Sequence, residues 1–526
     1  MKLLISFLSV CFSFQFAFAA SPFSNLDGVK YSLGFSPYYS QQNPGRRLKI
    51  AVLDKGFYGY EKELGRSLPA STRYIAGPVA NPENVNVEHG LRMAQILVAM
   101  MTNDMQATQW MPELTLYNVF GFSNFKAAID DVIANKVDLV LYSEVWEYGG
   151  NFDGTGFINN EVNRATRNGV IWVNAAGNFA LTTYNSGIRT LKDDWVQLPD
   201  QNNALMIRCE NRNGKCPVKI VLSWNDFKND VELGTDKDLD LALTDDMLSI
   251  VQTSALKQSK DPKESRPGFS KYPREIIAAE LSNGTYFLRV KNRSQNFVDR
   301  DQLRITVDGE VTMPSHSIND TILNPADNTT VITVGASDSD RSSSSKDKPD
   351  LLAPSSIRLA GGGEYRGSSN AAAIVAAGLG ILKSQEPRMT RKDLLDTVTR
   401  GNGDGWNQRG VSLNLLGFGP TGPGCFIDVN LNPVPDYVRE VLSRGGVPVQ
   451  TTAAVRVMVP FDPITMASYL RRNLLNDMIV ALPQGGYAVY PRFAAIPPGA
   501  VEIFQRPLEA GLCRPTPIGG GKNFHL

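Results

Sequence analysis

Residues 367–378 read GSSNAAAIVAAG, two adjacent serines followed by an almost unbroken run of small apolar side chains. From Ala371 to Ala377 there is no proline, helix propensity is high, and the apolar character is the same on every side. Such a helix is buried. Its first turn leaves backbone N–H groups unpaired at the positive end of the helix dipole. A serine held there suits an acyl-transfer nucleophile, whose developing negative charge the helix stabilises, and equally suits a plain helix cap. Only partners elsewhere in the chain can separate the two.

Working outward, the pattern from residue 48 alternates short apolar runs with amphipathic helices, as in a parallel sheet wrapped by helices. LKIAVLD ends a strand at Asp54, and HGLRMAQILVAMM is a helix with Met93, Ile96, Leu97, Met100 and Met101 on one face. LTLYNVF is a strand, and FKAAIDDVI a helix aligning Phe125, Ile129, Val132 and Ile133. VDLVLYSE and VIWVNAAGN make two more buried strands. The helical period then disappears, and alternating runs such as VKIVLSW, DLDLALT and TYFLRVKN predict an inserted β-sandwich or jelly roll over 195–311. The α/β pattern returns with VITVGAS and the buried helix. The expected organisation is a first α/β part over 48–194, a second over 312–417, and a small C-terminal α+β region over 418–526. In that last region Asp462 and Pro463 start a helix ending near Asp477, and MIVALPQGGYAVYP forms a hairpin.

Four polar residues fall at strand ends or helix starts of the α/β unit, where open parallel sheets place their sites. Asp54 ends the first strand, His89 opens a helix, Asn178 ends a strand in VNAAGN, and Ser369 opens the buried helix. A nucleophilic hydroxyl needs a base, a carboxylate to fix that base's tautomer, and donors for the oxyanion. These four residue types supply those roles once each. Singly, each has a structural reading: strand end, helix cap, Asx-turn and N-cap.

In the order Asp, His, Asn, Ser, the set resembles the subtilisin-like serine proteases, the subtilases. VLDKG is similar to the family's aspartate motif, HGLRMA to its histidine motif, AAGN to its oxyanion motif and GSSNAAAIVAAG to its serine motif. NPADNTTVITVGAS and KPDLLAPSS resemble the segments before the serine, and the insertion resembles the β-sandwich domains of bacterial subtilases. The resemblance spans about residues 48–195 and 311–400. It implies an endopeptidase hydrolysing protein or peptide substrates with Ser369 as nucleophile, His89 as general base and acid, Asp54 as its orienter, and Asn178 with the Ser369 N–H as oxyanion donors. Ser143, Glu144 and Val145 fall where the family pairs a strand with the substrate backbone. Departures occur at Lys55, usually Ser or Thr, at Leu91, often Thr, at Ala373, usually Pro, and at Glu144–Val145, where the family has Leu-Gly.

The chain begins MKLLISFLSVCFSFQFAFAA, a secretory signal peptide with Lys2, an apolar centre and an A-x-A site cut after Ala19. No other segment is apolar enough to span a bilayer, so a secreted or periplasmic protein is expected, with the 20–47 segment too short for a folding propeptide. Lys+Arg and Asp+Glu balance at 53 each, which argues against nucleic acid or anionic membrane as main partner. Cys11 leaves with the signal. Cys209, Cys216, Cys425 and Cys513 remain, and an even number in an oxidising compartment favours disulfides. CENRNGKC looks like a hairpin closed by Cys209–Cys216, which leaves Cys425 with Cys513. Zinc is disfavoured for lack of spare histidines, and the chemistry requires no metal or other cofactor. Asp236, Asp238 and Asp240 alternate along a strand and form either a Ca²⁺ site or an exposed acidic edge. Two other readings stay open: an inactive pseudoprotease serving as a binding scaffold, and an esterase, for which the G-x-S-x-G elbow is missing.

Overall fold

The structure, a computed structural model, describes residues 22–33, 35, 47–81, 86–102, 112–261 and 267–399, with six short strands between Val411 and Glu502. The expected signal peptide, the expected pairing of Cys425 with Cys513 and the helix expected after Asp462 lie outside the described residues.

Eight parallel strands form the main sheet, in the order Arg73–Ile75, Glu113–Asn118, Lys49–Asp54, Leu139–Tyr142, Ile171–Ala175, Ile332–Ala336, Leu351–Ala353, Val411–Ser412. Period-two alternation divides each strand between two cores. Ile50 and Val52 face a core shared with the helices His89–Met101 and Ser368–Gln385, while Ala51 and Leu53 face one shared with the helices Gly121–Ala134 and Phe157–Arg167. All five residues aligned on the first predicted helix face are buried; of the four on the second, Ile133 is only partly so. The first strand lies between Glu113–Asn118 and Leu139–Tyr142, so Asp54 sits where the strand order reverses, at the carboxyl edge of the sheet.

The antiparallel unit consists of two sheets facing one apolar core. One has the order Ile250–Ser254, Leu239–Thr244, Gly284–Asn292, Leu205–Cys209, Val311–Thr312; the other Arg274–Ser282, Lys215–Trp224, Gln302–Gly309, Thr183–Gly187. Its first strand, Thr183–Gly187, precedes the expected start at 195. That strand reads TYNSG, too polar to carry a strand signal, and forms by pairing along the edge of Gln302–Gly309. Cys209 and Cys216 are both fully buried and disulfide-bonded, with Cα atoms 5.9 Å apart. They belong to strands of different sheets, so the bond ties the sheets together rather than closing a hairpin within one. In the C-terminal region Asp477–Ala481 pairs antiparallel with Tyr487–Pro491, as the hairpin reading expects. Among the described residues no helix is long and apolar enough to cross a membrane.

Candidate active site

Asp54 is fully buried at its strand end. Its Oδ1 accepts from the N–H groups of Lys55 at 2.8 Å and Gly56 at 3.3 Å, which turns Oδ2 toward His89 Nδ1 at 2.7 Å. An ionised carboxylate accepts only, so Nδ1 carries the hydrogen and the neutral ring keeps Nε2 as its acceptor. Gly90 explains how the helix starts so close. A Cβ there would lie 2.5 Å from the Cβ of Asp54, and its N–H donates to Gly56 O at 2.8 Å. His89 therefore does not serve as a cap; the residue before the helix, Glu88, makes no side-chain capping bond either.

Neither serine caps the buried helix. Gly367 precedes it in an extended left-handed conformation, φ 146°, and as the cap residue offers no side-chain capping bond. Ser368, fully buried, accepts at Oγ from the Gly177 N–H at 3.0 Å. Ser369 is half-buried and donates from Oγ to Ser143 O at 3.0 Å rather than to His89. Its N–H lies in the helical first turn, where no intrahelical carbonyl can accept it.

Asn178 reaches the same place. Its Oδ1 accepts from the Ser368 N–H at 3.0 Å, which fixes the amide and leaves Nδ2 with no hydrogen-bond partner among the described residues. A Cβ on Gly367 would lie 3.0 Å from that Nδ2, so a glycine keeps the amide in position. Asp54, His89, Asn178, Ser369 and Ser143 are thus brought together from five separate stretches of sequence. The structural readings as caps and as an Asx-turn do not describe Ser369, His89 or Asn178.

Two of the departures meet at this site. Glu144 Oε2 forms an ion pair with Lys55 Nζ at 2.9 Å, and Glu144 Oε1 lies 3.9 Å from His89 Nδ1. One polar atom from each of Asp54, His89 and Glu144 lies within 4.8 Å of the others. Burial alone would lower the His89 pKa, but Asp54, by charge and hydrogen bond, and Glu144, by charge, raise it to about 9. Burial and the charge of Asp54 raise Glu144, while Lys55 and His89 pull it down. Burial opposes the Lys55 ammonium, yet Glu144 holds its pKa above the usual lysine value. The sequence signalled this pair only as two unusual residues of opposite charge; their contact across the site was not readable from it. Val145 packs against Ala176, Ile322 and Ala326.

A cleft of about 460 Å³ adjoins Asn178 and Gly367, walled by Phe179 and Arg341 of the α/β unit and by Val307–Gly309 of the sandwich. The sequence reading did not identify these wall residues. In the acidic trio Asp236 pairs with Lys260 at 2.6 Å and Asp240 with Arg293 at 3.1 Å. Burial first, then Asp240, push Asp238 up to about 6.

Residues 290–419 match the family model Peptidase_S8, described as the subtilase family. The chain is also similar to two solved structures. One is the CspB protease of Clostridium perfringens, at 13% identity and TM-score 0.46, covering 74% of this chain and 97% of that one. The other is the nisin leader peptidase NisP of Lactococcus lactis, at 15% identity and TM-score 0.36, covering 74% and 91%. No curated protein matches the chain.

Proposed function

We propose that this protein, whose residues 290–419 match the subtilase family model, is an exported serine endopeptidase acting through Asp54, His89 and Ser369. The observation that carries the reading is the 2.7 Å contact between His89 Nδ1 and the fully buried Asp54, at the sheet edge where Ser369 begins a buried helix. In the proposed reaction Ser369 Oγ leaves Ser143 O and attacks the peptide carbonyl carbon while His89 Nε2 takes its proton. The oxyanion is held by Asn178 Nδ2 and the Ser369 N–H. The tetrahedral species then breaks its C–N bond, with His89 returning the proton to the leaving amine. Water repeats the sequence on the acyl-enzyme. Asp54 keeps the imidazole tautomer and stabilises its cation. The segment Ser143, Glu144 and Val145, which follows the strand Leu139–Tyr142, offers backbone groups to the substrate. Export rests on the signal-like first residues with cleavage after Ala19, and the buried Cys209–Cys216 bond fits an oxidising compartment.

A second reading, a binding scaffold without turnover, draws on one observation: Ser369 Oγ is engaged by Ser143 O. A fluorophosphonate label combined with casein digestion separates them. The proposal expects labelling and digestion by wild type, and neither by Ser369→Ala. Alanine at Asp54, His89 or Ser369 is expected to lower kcat by about 10⁴–10⁶, with losses far from additive. A folded wild type that resists the label is a scaffold.

A further inference from the structure

Glu144 does not sit as a bystander on the substrate strand. Its carboxylate bridges two groups, with Oε2 on Lys55 Nζ at 2.9 Å and Oε1 3.9 Å from His89 Nδ1. The Glu144 side chain is 20% exposed and the Lys55 side chain 44%, so the pair reaches the protein surface while its inner end is shielded. We propose that Glu144 is a positioning residue for His89, a second carboxylate that together with Lys55 sets the pH at which the imidazole can accept a proton from Ser369. This rests on the reading of Ser369, His89 and Asp54 given above.

The charged groups around the imidazole come from three places. Asp54 faces it from the first strand, Lys55 from the loop that follows, and Glu144 from the end of the strand Leu139–Tyr142. Glu88 is turned away, paired with Arg92 at 2.6 Å. Glu147 and Asp308 reach the site only through their charge on Lys55. Two anions against one cation leave the ring in a net negative surrounding, which favours the imidazolium. The shift to about 9 has this cause. A protonated ring has no lone pair for the Ser369 hydrogen. The base-competent fraction is therefore small at neutral pH and grows as pH rises through the shifted value.

Glu144 and Lys55 act with opposite sign, and that gives a test which a merely structural contact would fail. Glu144→Gln keeps the shape and the hydrogen bond to Lys55 but removes the anion. It leaves Lys55 uncompensated near the ring, so the His89 midpoint should fall by about one pH unit or more. Lys55→Met removes the opposing cation, and the midpoint should rise. The chain has three histidines, so the imidazole Cε1 protons can be followed by NMR titration in the Ser369→Ala background, independent of any proteolysis. In the active forms, kcat/KM of wild type should climb through about pH 9. For Glu144→Gln the climb should move to lower pH, with a gain of about tenfold or more at pH 7, because the neutral fraction there grows about tenfold for each pH unit by which the midpoint falls.

A His89 midpoint that stays put in Glu144→Gln, or moves the same way in both variants, overturns this proposal while Ser369-dependent proteolysis stands. A Glu144→Gln protein altered only in its preference between acidic and basic peptides overturns it equally. Opposite midpoint shifts in a protein that neither labels nor cleaves would uphold the pairing and overturn the peptidase reading instead.

Discussion

At the scale of single residues, the site depends on how Asn178 is held. The Ser368 N–H consumes its Oδ1, so the amide cannot flip without losing that bond, and Nδ2 is the group presented. A donor fixed in this way acts mainly when negative charge develops. Asn178→Ala should therefore lower kcat by about 10²–10³ with KM nearly unchanged, as read from steady-state kinetics on a short peptide. A change confined to KM would mark Asn178 as a substrate contact. The four residues of this site were legible because their chemistry recurs in motifs short enough to read locally: a strand-ending Asp, His-Gly, Ala-Ala-Gly-Asn and a serine before a buried helix. Lys55 and Glu144 were legible only as exceptions, since nothing in one dimension says that a residue after the first strand touches one after the fourth. The same limit hid the Ser369–Ser143 bond. A side-chain rotamer belongs to the packed site and not to the spacing of residues.

At the scale of elements, two local features carry stability that sequence patterns described incompletely. The helix Leu26–Leu33 lies in the segment read as too short for a folding propeptide, and Phe23, Leu26, Val29 and Leu33 are buried in the core shared with the helices His89–Met101 and Ser368–Gln385. The Ser24 N–H donates to Arg358 O at 2.9 Å, and Asn25 exchanges bonds with Ser356 O and the Arg358 N–H. An element bonded in this way is expected to stay with the folded chain. Peptide sequencing should find the N-terminus of purified wild type and of Ser369→Ala alike ahead of Phe23, near Ala20; a wild-type start beyond about residue 45, absent in the mutant, would show self-processing. The Cys209–Cys216 bond is the second feature. The spacing of two cysteines in a polar loop reads as a hairpin, but which sheet each strand joins is decided by long-range pairing. Leu205–Cys209 pairs with Gly284–Asn292 in one sheet, and Lys215–Trp224 with Arg274–Ser282 in the other. Closing so short a loop stabilises by about 2–3 kcal/mol in the chain-entropy picture. Replacing both cysteines with serine should lower the unfolding free energy by at least that much, because two hydroxyls then enter an apolar core. Denaturant unfolding followed by tryptophan fluorescence measures it, and an unchanged midpoint would show that the sheets need no tie there.

At the scale of the whole molecule, the sandwich is joined to the α/β unit through the segments that form the site. Lys219 pairs with Glu147 at 2.8 Å, and the Ser223 hydroxyl donates to Glu147 O at 3.2 Å, just beyond Ser143 and Glu144 in the chain. Phe227 packs against Phe157, with ring centroids 5.8 Å apart. The deepest tie is Arg304, only 3% exposed, on the strand Gln302–Gly309. Its Nε donates to Asn185 Oδ1 at 2.7 Å, its Nη1 to Ile322 O at 2.8 Å and its Nη2 to Asp320 O at 3.0 Å, with the guanidinium 4.2 Å above the Phe152 ring. It thereby fastens the sandwich to the segment by which the chain returns to the parallel sheet. Burial lowers its pKa to about 10, which still leaves it charged at neutral pH. The same strand ends in Val307, Asp308 and Gly309, the sandwich's wall of the cleft beside Asn178. Arg304→Met should thus do two things. It strands the buried Ile322 carbonyl and should cost about 2–4 kcal/mol of stability, seen as a lower urea midpoint. It also loosens the cleft wall without touching Ser369, so the folded fraction should take a small fluorophosphonate at the wild-type rate while KM for a protein substrate rises more than KM for a short peptide. If labelling and both substrates fail together in a protein that remains folded, the sandwich is part of the catalytic centre itself and not a wall beside it.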